Sequence, residues 1–92
     1  MANSKSAEKR HRVSERRRMQ NKPYRTAART FVRKAESTIA GGDESGSVSA
    51  VNDAIAMLDR VAGKGIIHKN NAARRKSRLM AKLNRLRRDA TG

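Results

Sequence analysis

From Tyr24 onward the apolar positions fall into a regular pattern. Tyr24, Ala27 or Ala28, Phe31, Ala35 and Ile39 follow steps of three and four, which places them on one side of a helix with Arg25, Arg29 and Arg33 on the other. Val48, Val51, Ile55, Leu58 and Ala62 step three and four in the same way, the seam spacing of packed helices. A third set, Ala72, Leu79, Leu83 and Leu86, lines one face of a last helix. The connectors are equally legible. The run from Gly41 to Gly46 separates the first two sets, Gly63-Lys64-Gly65 separates the last two, and Ile66 and Ile67 are placed to anchor the second turn. Ser47 is the expected N-cap of the middle helix.

Residues 5 to 22 behave differently. They are good helix formers without Gly or Pro, yet the apolar positions Ala7, Val13 and Met19 recur every six residues, which is not a helix-face period. A helix that is polar all round depends on a partner for its stability. Pro23, with no N–H and a ring that crowds the carbonyl four residues back, predicts a kink or restart at that point. Strict alternation of apolar and polar residues is absent, so no strand competes. The expected fold is all-α: a three-helix bundle with a long, basic N-terminal helix extending beyond the core. It forms a single domain over residues 1–92, with helices over 1–40, 47–62 and 68–88.

Composition adds the chemistry. The chain has 92 residues, with 23 Lys plus Arg against 8 Asp plus Glu, a net charge of +15. The charge is segregated: residues 1 to 36 carry 12 basic and 3 acidic groups, residues 37 to 63 carry 1 and 4, and residues 64 to 92 carry 10 and 1. Two basic limbs of +9 therefore flank a middle of −3, a distribution that attracts polyanions and opposes compaction of the free chain. The bundle is small enough for the free protein to be expected only weakly folded at low salt.

Other function classes fall away. With two His and no Cys, neither a disulfide framework nor a four-ligand zinc site can be assembled. No metal or cofactor is expected. Asp43, Glu44, Asp53 and Asp59 have no His or glycine-rich phosphate loop beside them, so they read as solvated surface groups rather than catalytic carboxylates. No small-molecule substrate is implied, and the expectation is not an enzyme. The lack of long apolar runs and of bulky apolar residues opposite the N-terminal charge argues against a membrane span and against a membrane-surface helix. A cytoplasmic protein that does not self-associate is the simplest expectation. With Phe31 and Tyr24 the only aromatics, base stacking is not the expected binding device.

Phosphate contact remains. Lys5, Lys9, Arg12 and Arg16 lie three or four apart, as do Arg18, Lys22, Arg25 and Arg29, so each set forms a stripe along the first helix. Arg10 and Arg17 add to the density. In the last third, Lys64, Lys69, Arg74, Arg75, Lys76, Arg78 and Lys82 form the second basic cluster, with His68 and Asn70 at the start of its helix. His68 suits either a phosphate contact or a cap. Arg favours two-pronged phosphate contacts, whereas Lys acts as a point charge. A nucleoid protein binding DNA nonspecifically has the same charge requirement. It usually also shows a dimerisation element or minor-groove wedge, and neither is evident.

Several of these residues also carry a family likeness. Met1-Ala2-Asn3, Lys5-Ser6-Ala7, Lys9-Arg10, Arg29-Thr30-Phe31, and above all Lys64 to Asn70 with Ala72-Ala73-Arg74 and Lys76 to Leu79, resemble the S20 family of bacterial small-ribosomal-subunit proteins. That resemblance implies a three-helix protein within the ribosome that binds 16S ribosomal RNA directly, as an early assembly component of the small (30S) subunit. It also adds Asn3 and Ser6 to the candidate RNA contacts.

Overall fold

The computed structural model describes the backbone of residues 2–91 and the side chains of residues 5–89. Three helices account for nearly all of it: α1 (Ala2–Ala40), α2 (Glu44–Gly63) and α3 (Lys69–Thr91). Helix α1 does not restart at Pro23, which lies inside it. Proline removes one hydrogen bond from a helix but leaves the bonds on either side to carry the backbone through.

The core forms where the three apolar faces meet. Ala28 and Ala35 come from α1; Val51, Ala54, Leu58 and Val61 from α2; Ala72, Leu79 and Leu83 from α3. The alanines on α1, seven residues apart, let its backbone approach the larger side chains of α2. The observed face of α2 is broader than the Val48-to-Ala62 seam. Ser47, Ala54 and Val61 are fully buried beside Val51 and Leu58, while Val48, Ile55 and Ala62 are half-buried at its margin. A central helix facing two neighbours needs a wider apolar surface than a two-helix seam provides. On α1, Tyr24, expected on the apolar face, is exposed, while Val32 packs against the core together with Phe31 and Ile39.

The start of α2 corrects the expectation for Ser47. The N-cap is Asp43, whose carboxylate accepts from the Gly46 N–H at 3.1 Å, and Glu44 adds negative charge to the first turn. Ser47 lies one turn further in, where its buried hydroxyl donates to the Asp43 carbonyl. The connector therefore shrinks to residues 41–43. The other end of α2 closes with paired bonds, Gly65 N–H to Ala62 O at 2.9 Å and Ile66 N–H to Val61 O at 3.1 Å. That closure requires the left-handed backbone seen at Gly65, φ +76°, and it tucks Ile66 against the core.

Cross-links fix the helix directions. Asp59 of α2 meets Lys76 of α3, and Glu44 at the start of α2 meets Arg87 near the end of α3, so α2 and α3 are antiparallel. Glu36 meets Lys82, and the Arg25 guanidinium reaches the Ile66 carbonyl, so α1 and α3 run parallel. Only the part of α1 after about Tyr24 belongs to the bundle. The rest projects past the turn between α2 and α3, giving a molecule of 70 × 19 × 16 Å. Its radius of gyration, 18.2 Å, compares with about 12 Å for a compact chain of this length.

Candidate nucleic-acid interface

The projecting arm is a single helix in solvent. Every described side chain from Lys5 to Thr26 is exposed except those of Glu15 and Asn21, which are half-exposed. Residues 2 to 23 carry 8 Lys or Arg and 2 Glu along about 33 Å of helix. Lys5, Lys9, Arg12 and Arg16 lie in one row. Arg18, Lys22, Arg25 and Arg29 lie in a second, turned roughly 140° from the first at the helical advance of about 100° per residue. Ser6, Arg10 and Arg17 occupy the side between the rows that continues, further along α1, into the core face, and they border a shallow depression with Lys9, Val13 and Ser14. Among these cations Arg18 has a local partner, Glu15 at 3.6 Å. Asn3 lies outside the residues whose side chains are described.

At the base of the arm, residues about 40 positions apart in sequence come together. The Lys64 ammonium sits 5.0 Å from the centre of the Tyr24 ring, and Arg25 Nη2 lies 3.5 Å from the Ile66 carbonyl. His68 caps α3: its Nδ1 accepts from the Asn70 N–H at 3.1 Å, and its carbonyl accepts from the Ala72 N–H. The acceptor role at Nδ1 places the ring proton on Nε2. His68, Lys69 and Asn70 are all exposed there, so the turn extends the basic surface of the arm onto α3.

Helix α3 turns its cations away from the core, with two exceptions among the predicted contacts. Lys76 is half-buried and bonded to Asp59 at 2.7 Å, and Lys82 reaches Glu36 at 3.2 Å. Such pairs lie at the surface and contribute about 0–1 kcal/mol each, so they orient the two side chains more than they hold the fold together. Arg75 donates through Nε to Asn71. Arg74 and Arg78 point outward, and steps of seven and three from Arg78 add Arg85 and Arg88 to the same exposed face. Extending the three-and-four spacing past Arg78 would have selected both from the sequence. The carboxylates, expected merely to be solvated, are employed: Asp43 caps a helix, while Glu44 and Asp59 tie α3 to α2.

The chain is similar to known proteins over most of its length. The chain matches the model of the ribosomal protein S20 family over residues 2–84. It is 54% identical to the small ribosomal subunit protein bS20 of Thermomicrobium roseum, over 94% of this chain and 87% of that one. The bS20 proteins of Roseiflexus sp. and Pectobacterium carotovorum are 55% and 51% identical, covering 89% and 91% of this chain and 89% and 97% of theirs. No helix among the described residues is long and apolar enough to cross a membrane.

Proposed function

The chain belongs to the ribosomal protein S20 family, whose members are structural components of the small ribosomal subunit rather than enzymes, and from that premise we propose that it binds 16S ribosomal RNA directly and supports subunit assembly by neutralising the phosphates of neighbouring RNA helices. The observation that carries the reading is the arm: about 33 Å of helix, rich in Lys and Arg, with its described side chains open to solvent. Its two cation rows face in different directions, as contact with more than one RNA segment requires. Helix α3 supplies a second basic surface, held parallel to α1 by the core. The acidic groups of α2 bias the molecule so that its limbs, and not its middle, face nucleic acid.

The A-form major groove is too narrow for side chains to read, so the contacts in this reading are phosphates, 2′-hydroxyls and groove shape. Neutralising about eight phosphates gives a log affinity that falls with log salt at a slope of about −6 to −7. Competition binding tests the proposal. The protein should prefer 16S RNA over random duplex DNA at matched salt, and equal affinity for the two would refute it in favour of nonspecific DNA binding.

A further inference from the structure

Just beyond Arg16 the first cation row of α1 ends. Its direction on the helix is taken over by Met19, Pro23 and Ala27, each four residues after the last. At 71% exposure Met19 is the most exposed large apolar residue among those described. The second cation row starts at the same level about 140° around the helix, and Arg18, Lys22 and Arg29 border one open surface groove together with the apolar stripe. Among the described residues, Met19 and Pro23 are exposed and Ala27, closest to the bundle, is half-buried. The nearby Tyr24 ring is taken by Lys64, and Phe31 is half-buried against the core.

Pro23 gives the stripe a polar element as well. The carbonyl of Met19 would normally accept from the N–H four residues on, but proline has none to give. A backbone acceptor that lacks its helical donor and is crowded on one side by the Pro23 ring therefore lies beside two apolar side chains and a row of cations. Phosphates cannot use it, because they are acceptors themselves. A hydroxyl can.

Building on the proposed RNA binding, we propose that the Met19–Pro23–Ala27 side of α1 is a ribose-recognition site for the minor groove of an A-form RNA helix. The Met19 carbonyl accepts a 2′-hydroxyl, the apolar side chains cover sugar faces, and Arg18, Lys22 and Arg29 hold the phosphates of the adjacent strand. The minor groove fits because it is wide and shallow and displays 2′-hydroxyls, whereas a helix about 10 Å across cannot enter the narrow major groove. Single-stranded RNA fits less well, since no free aromatic is present among the described residues for bases to stack on. A membrane surface would need more bulk than one methionine supplies.

The test uses the full-length protein and 16S RNA transcripts carrying scattered 2′-deoxy substitutions. For the wild type, 2′-deoxy substitution at a few minor-groove positions should weaken binding about five-fold, the scale of one hydrogen bond. Pro23→Ala restores the helical N–H. It should bind unmodified RNA about five-fold more weakly, keep the wild-type salt slope, and lose its sensitivity to 2′-deoxy substitution at those positions. Met19→Ala should weaken binding by about three- to ten-fold, again without changing the slope. If Pro23→Ala keeps the wild-type sensitivity to every 2′-deoxy position, the carbonyl is not the acceptor and the inference is overturned. That result leaves the preference for 16S RNA over DNA intact, whereas failure of the functional reading abolishes the preference in the wild type itself.

Discussion

Replacing Arg16, Arg17 and Arg18 together by alanine separates charge that faces RNA from charge that merely decorates a helix. Consecutive helical residues point about 100° apart, so Arg16 and Arg18 face nearly opposite ways, one in each cation row, and Arg17 lies on the side between. All three are exposed, and Arg18 pairs with Glu15 of the same helix, so their removal leaves the core intact. Removal of one phosphate contact should flatten the salt slope by about 0.7–0.9, so three such contacts amount to about 2 to 2.7. Between 50 and 200 mM salt the wild-type affinity should fall by about four decades, and that of the triple variant by about two and a half. Filter binding to 16S RNA across a salt series, with circular dichroism to confirm unchanged helicity, measures both. A flattening of only about 0.8 would mean that RNA lies on one side of the arm only. An unchanged slope would show that none of the three arginines touches a phosphate.

Three further outcomes test the fold beneath that interface. Leu58→Ala removes the largest fully buried side chain of α2 and should cost about 2–5 kcal/mol in urea unfolding, enough to unfold much of so small a domain; a drop below about 1 kcal/mol would contradict its place at the centre of the core. Asp43→Ala should cost about 1 kcal/mol by deleting the cap on α2, with Asp43→Asn close to wild type, and equal destabilisation by the two would show that the cap is not what matters. A peptide of residues 1–23 should show little helix by circular dichroism, and the intact protein should gain helicity when 16S RNA is added; full helicity of the peptide alone would overturn the dependence of the arm on a partner.

The three helices and their connectors could be read from spacing because apolar periodicity and glycine pairs report local backbone geometry directly. Gly65, read as punctuation, has the positive φ that ends α2. The finer choices depended on tertiary context. Ser47 and Asp43 are both good caps in isolation; burial of Ser47 against the other helices decided between them. The face of α2 came out broader than its seam because the sequence of one helix does not state how many neighbours it will have. Pairing was hidden for the same reason. Lys76 and Lys82 look like any other cation in the basic C-terminal third until α2 and α1 bring Asp59 and Glu36 to them. Cations on a free surface need only the right spacing, which is why the rows of the arm could be drawn from the sequence alone.

The division of α1 at Tyr24 also sets a direction for winding. Starting a helix from coil is the costly step, while adding residues to an existing end is nearly free. The bundle supplies such an end, so the arm should coil from its base toward Met1 as a partner comes alongside. Pro23 stands at the threshold, the one residue that each propagating turn must get past before the charged stretch can form.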